Sequence, residues 1–103
     1  MFALVVRFDI RDDESAKEFD ALTAEAVAQI HAKEPGTLVY ATSAVRDAPL
    51  SRVFFEVYAD DAAFQAHEVA EHVQTFHAKK NPFVTSHRVE FLTPGPAKGL
   101  PVS

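Results

Sequence analysis

The side chains best able to move protons fall between Arg52 and His77 in this chain of 103 residues. Glu56 stands inside Arg52-Val53-Phe54-Phe55-Glu56-Val57-Tyr58, surrounded by aromatic and β-branched neighbours. A carboxylate desolvated in such company has its pKa raised unless a cation pairs with it. Glu56 is then either a general base poised near neutrality or half of a structural ion pair with Arg7 or Arg52. His67 follows Phe64 by three residues, so on a helix it shares the inward face of that ring and can meet Glu56 across the gap between helix and sheet. The alternative for His67 is a core histidine satisfied by a backbone carbonyl. Tyr58 is placed to hydrogen-bond a substrate oxygen, and Phe54 and Phe76 could wall an aromatic ligand. The expected catalytic set is Glu56, His67 and Tyr58, and the expected substrate-binding set is Phe54, Phe76, His72 and Arg7.

His67, His72 and His77 invite a metal reading, but a step of five residues turns about 500° around a helix and leaves neighbouring rings about 140° apart. Ligand pairs need a shared face, so a zinc or iron site is not expected unless the helix breaks. His31 and His87 carry no argument. With three glycines, no phosphate-cradling loop or dinucleotide fingerprint can be written, so no cofactor is expected. Zero cysteines exclude disulfides, thiolate metal sites and a cysteine nucleophile, and suit a reducing cytoplasm. Ten Lys+Arg against fifteen Asp+Glu give a net charge of −5 with the basic residues scattered, which argues against a nucleic-acid partner. The apolar start Phe2-Ala3-Leu4-Val5-Val6 is cut by Arg7 and Asp9, too early for a signal peptide or a membrane span.

These residues need elements to position them. In the first strand Phe2, Leu4, Val6, Phe8 and Ile10 share one face, and Ala3, Val5, Arg7 and Asp9 the other. Ser15 with Glu18 has capping-box spacing, and Phe19, Leu22, Ala26 and Ile30 recur at helical intervals, predicting a helix over Ser15 to Lys33 that Pro35 and Gly36 end. Thr37 to Val45 and Arg52 to Ala59 read as strands, joined in a hairpin through Arg46-Asp47-Ala48-Pro49. Asp60-Asp61 caps a second helix carrying Ala63, Phe64, His67, Ala70, Val73 and Phe76, with a break near His72. Lys79-Lys80-Asn81-Pro82 stops it before a last strand over Phe83 to Leu92. Residues 94–103, rich in proline and glycine, should carry no regular structure. The order β-α-β-β-α-β predicts an α+β, ferredoxin-like domain over residues 1–93, with an antiparallel four-stranded sheet and both helices on one face. Val53, Phe55 and Val57, together with the apolar row of the first strand, are expected on the open face, which a symmetric sheet-on-sheet homodimer would cover.

Glu34-Pro35-Gly36-Thr37-Leu38-Val39-Tyr40, then Phe55-Glu56-Val57-Tyr58-Ala59-Asp60-Asp61-Ala62-Ala63-Phe64-Gln65-Ala66-His67, then Glu71-His72-Val73-Gln74-Thr75-Phe76, form an ordered set that resembles the antibiotic biosynthesis monooxygenase family over roughly residues 2–93. The resemblance implies a dimeric α/β-barrel and oxidation of a small aromatic or quinol-type molecule by O2 without an organic cofactor. O2 is a triplet that reacts slowly with closed-shell molecules, whereas a phenolate or enolate can pass it one electron. The protein must then supply a base and a dry aromatic pocket. Other roles the same architecture implies are a non-enzymatic ligand-binding or sensing dimer, a haem-degrading monooxygenase and a small-metabolite isomerase. The haem-degrading branch resembles a set of Asn on the first strand, Trp at the place of Tyr58 and an iron-ligating His near His77. This chain has no Trp, and its only Asn is Asn81.

Overall fold

The computed structural model describes residues 1–100, and of the expected irregular tail residues 101–103 lie outside them. Residues 93–100 contain neither helix nor strand. The elements are β1 (Phe2–Ile10), α1 (Asp13–Lys33), β2 (Thr37–Val45), β3 (Ala48–Tyr58), α2 (Asp61–Val69), α3 (Glu71–Lys80), a single 3-10 turn (Asn81–Phe83) and β4 (Val84–Leu92). The four strands pair antiparallel in the order β2-β3-β1-β4, which is the ferredoxin-like arrangement expected from the sequence.

Local chemistry sets the ends of these elements. Asp12, not Ser15, caps α1: its carboxylate accepts from the Ser15 backbone N–H at 2.8 Å, which starts the helix at Asp13. Asp60 does the same for α2 through the Ala63 N–H, also at 2.8 Å. The β2–β3 turn shrinks to Arg46-Asp47, because Ala48 already pairs with Val45. The second helix does break, at Ala70, whose extended backbone (φ −64°, ψ 138°) separates α2 from α3.

Register corrects one expectation about the faces. Leu4 pairs with Glu56, Val6 with Phe54 and Phe8 with Arg52, so the apolar row of β1 faces the helices together with Phe54, Glu56 and Tyr58. Alternation separates a strand into two sets, but only pairing with the neighbouring strand decides which sets share a side. One core follows from this: Leu4, Val6, Phe8, Phe54 and Tyr58 meet Phe19, Phe64 and Phe76 from the helices. Burying each such ring contributes about 1.5–3 kcal/mol. The open face is left with Ala3, Val5 and Arg7 from β1, in register with Val57, Phe55 and Val53 from β3. Among the described residues no helix is long and apolar enough to cross a membrane.

Candidate active site

Between the helices and the β1–β4 half of the sheet lies a cavity of about 250 Å³. Its walls are apolar and aromatic: Leu4, Val6 and Phe8 from β1, Phe64 and Phe76 from the helices, and Val89 and Phe91 from β4. At one end Tyr40, Glu56, His67 and Glu68 supply polar groups.

Glu56 reaches the cavity from β3, yet its side chain is only 7% exposed. No arginine reaches it: Arg52 instead grips Asp20 of α1 through two nitrogens, at 2.9 and 3.1 Å. Burial, reinforced by the nearby carboxylates of Glu68 and Glu34, lifts the Glu56 pKa to about 7, against the lowering effect of a hydrogen bond from Tyr58. That bond runs from the Tyr58 hydroxyl to Glu56 Oε1 at 2.5 Å. Tyr58, expected to meet a substrate oxygen, is fully buried and does not line the cavity; its hydroxyl is turned to Glu56 instead. Tyr40, which sits opposite Glu56 in the β2–β3 ladder, occupies the cavity wall in its place. Burial keeps its phenol well above the usual tyrosine pKa, so it remains a hydrogen-bond donor.

His67 lies on α2 with its Nε2 3.9 Å from Glu56 Oε1, the meeting that the Phe64 spacing predicts. Its ring is not satisfied by a backbone carbonyl. His67 Nδ1 instead stands 2.7 Å from Glu34 Oε1. An ionised carboxylate only accepts, so Nδ1 carries the proton and Nε2 is left turned toward Glu56. A carboxylate fixing a histidine's tautomer and orientation in this way is the arrangement by which hydrolytic triads position their general base.

Glu34 is the residue that sequence reasoning missed. It follows the last residue of α1, and beside Pro35 and Gly36 it reads as turn chemistry. In the fold its carboxylate accepts from Thr37 Oγ1 at 2.6 Å, from His67, and through its other oxygen from His72 Nε2. Burial alone would raise this carboxyl, but the hydrogen bonds from Thr37, His67 and His72 outweigh it and hold the pKa below the ordinary glutamate value. The break at Ala70 is what lets His67 and His72 converge on one group, since on a continuous helix they would point about 140° apart. His72 therefore braces Glu34 and does not line the cavity. Its available signal was the predicted break, which removed the geometric objection to the two histidines sharing a partner.

Two further expectations change. Phe54 is 1% exposed and packs behind the site against Phe8, Tyr40 and Phe76, so it contributes core and not wall. Arg7 points from the opposite face of the sheet, donating to Ser51 at 3.1 Å and pairing with Asp9 at 3.4 Å. Phe76 lines the cavity as expected, and His77 lines it as well. No group of three or more potential metal ligands forms among the described residues.

The fold and site define a small ferredoxin-like α+β domain with Glu34, His67 and Glu56 in sequence at one end of an aromatic cavity. The chain belongs to the antibiotic biosynthesis monooxygenase family, whose model matches residues 1–79. Among solved structures it is similar to an antibiotic biosynthesis monooxygenase candidate from Bacteroides thetaiotaomicron, with 26% identity over 99% of this chain and 95% of that one and a TM-score of 0.87. A Shewanella oneidensis protein shows 27% identity over 88% of this chain and 87% of that one, with a TM-score of 0.76. A further family candidate, from Caulobacter crescentus, shares the fold at 22% identity, covering 92% of this chain and 90% of that one with a TM-score of 0.86. No curated protein matches the chain.

Proposed function

We propose that the protein is a cofactor-independent monooxygenase that oxidises a small aromatic, quinol-type substrate with O2, acting as a homodimer in the cytoplasm. The observation that carries this reading is the juxtaposition of Glu56, its pKa near 7, with a His67 oriented by Glu34, both at the polar end of an aromatic cavity. A substrate hydroxyl at that end gives its proton to His67 Nε2 or to ionised Glu56, while Tyr40 donates to the oxygen on which charge develops. The anion passes one electron to O2, and the resulting radical pair combines into a hydroperoxide at a ring carbon that bore hydrogen. Loss of that carbon's proton breaks the O–O bond. One oxygen atom becomes a new carbonyl and the other leaves as water, carrying the hydroxyl and ring hydrogens. The walls from Phe8, Phe64 and Phe76 hold the ring and exclude water from the anion. The homodimer is supported by the half-buried apolar strip of Val5, Val53 and Phe55 on the open face.

Purified protein incubated with a panel of quinols and anthrones, aerobically and under nitrogen, tests the proposal. Oxygen uptake with one labelled atom from 18O2 retained in the product is expected. Uptake no faster than the protein-free blank across the panel would exclude the enzyme and leave a ligand-binding module as the use of the cavity.

A further inference from the structure

The end of the cavity remote from Glu56 carries charge of the opposite sign. Lys80, the last residue of α3, is 7% exposed. Its ammonium donates to Asn81 Oδ1 at 3.2 Å and lies 5.6 Å from the centroid of the Phe8 ring, itself part of the cavity wall. His77 of α3 and His87 of β4 line the same cavity. Among the described residues, no carboxylate comes within ion-pair distance of Lys80, His77 or His87, whereas the buried Glu34 and Glu56 both have histidine within that distance. Burial pulls the Lys80 ammonium below its usual pKa, and no acid among the described residues opposes it.

A buried ammonium with one neutral acceptor is costly, and a ligand anion removes that cost at the moment of binding. The sheet also sets the distance between the two ends. Glu56 is level with Leu4 and His87 with Phe8, four residues apart on β1, or about 13 Å along the strand. A cavity of 250 Å³ lies below the usual range for larger ligands, which fits an occupant of about one or two fused aromatic rings. We propose that the cavity selects hydroxy-aromatic molecules bearing a carboxylate, with the carboxylate seated on Lys80 between His77 and His87 and the hydroxyl delivered to Glu56 and His67. The carboxylates of Glu56 and Glu68 repel an anion from the opposite end, so the polarity of the cavity fixes the orientation as well as the charge of its ligand. This inference rests on the reading of the cavity as the substrate site, but it concerns binding and not turnover.

Binding therefore tests it, by titration calorimetry under nitrogen at pH 7 with 1-hydroxy-2-naphthoic acid, its methyl ester and 1-naphthyl phosphate. The acid should bind about tenfold or more tightly than the ester. Lys80→Met keeps the aliphatic stem and should abolish that preference while leaving ester affinity unchanged, and Glu56→Gln should retain it. Equal binding of acid and ester, a preference that survives in Lys80→Met, or no binding of the acid by folded protein would overturn the proposal. Tighter binding of the phosphate would overturn the assignment to a carboxylate. Selective binding of the acid without any oxygen uptake would count against the monooxygenase and leave this inference standing. Oxidation of neutral quinols by a protein indifferent to the acid would do the reverse.

Discussion

Replacing Glu56 by glutamine separates a catalytic carboxyl from a structural one, because the two roles predict opposite changes in stability. Glu56 has an ordinary pKa of 4.5 and one of about 7 in the fold, raised chiefly by burial. The folded protein thus holds this proton more tightly than the unfolded chain. The stability contributed by the group is fully present below pH 4.5 and is lost as pH rises to about 7. The gap corresponds to roughly 3 kcal/mol. Glutamine has the same shape, keeps an oxygen to accept from Tyr58 and never ionises. Glu56→Gln should therefore be more stable than the parent at pH 8, by up to about 3 kcal/mol, which for a domain of this size raises Tm by roughly 10 °C or more. The advantage should shrink toward zero at pH 4.5. Circular-dichroism melts across that range would measure it, alongside oxygen uptake, which should fall by ~10²–10⁴-fold. A variant that is less stable at pH 8 would show the ionised carboxylate to be a well-paired structural group, and undiminished uptake would remove it from the chemistry.

Glu34→Gln should behave in the opposite sense. Its folded pKa lies below the ordinary 4.5, so its stabilisation is present above that value and is lost as pH falls through the folded value. Urea melts should show a loss on the order of 2–4 kcal/mol at pH 7 and a flatter decline toward pH 3.5, while a variant as stable as the parent at pH 7 would count against the Glu34–His67 pairing. Gly36→Ala would place a Cβ 2.6 Å from Ala63 Cβ, forcing α2 outward and moving His67 with it. A loss of about 1–3 kcal/mol together with lower uptake is expected, with both recovered in Gly36→Ala/Ala63→Gly; failure of that rescue would show the contact to be unimportant. Phe55→Asp on the open face should yield monomer or aggregate in sedimentation velocity, since a dimer would bury an unpaired carboxylate at a cost of several kcal/mol, and a well-folded dimer would place the interface elsewhere.

The parts of the site that were legible in the sequence are those governed by local period. Alternation along β3 turned Glu56 toward the helices, and the step from Phe64 turned His67 toward the sheet; the structure leaves His67 Nε2 and Glu56 Oε1 3.9 Å apart. What a period cannot supply is the partner across a gap. Arg7 sits on the wrong face for Glu56, and Arg52 shares the helix-facing side but finds Asp20 on α1 first. Alternation alone puts the apolar row of β1 on the wrong side for the same reason: two alternating strands have two possible alignments of faces, and the Leu4–Glu56 rung chooses between them. Glu34 was illegible because no element spacing relates the end of α1 to the middle of α2. Its role appears only once β2 and the broken helix have brought Thr37, His67 and His72 around it.

Glu34 and Glu56 divide the energetics of the site between them. Glu34 is ionised, hydrogen-bonded from three sides and joins the end of α1 to β2, α2 and α3, so the group that orients His67 also stabilises the fold. Glu56 has one hydrogen-bond donor and a surplus of negative neighbours, so the group that faces the cavity costs the fold stability once it ionises. A carboxyl kept for packing would gain from a cation, and Arg52 lies on the same side of the same strand, yet it is committed to Asp20. Leaving Glu56 without a cation keeps its proton exchangeable near neutral pH, which the proposed base requires and an ion pair would forfeit.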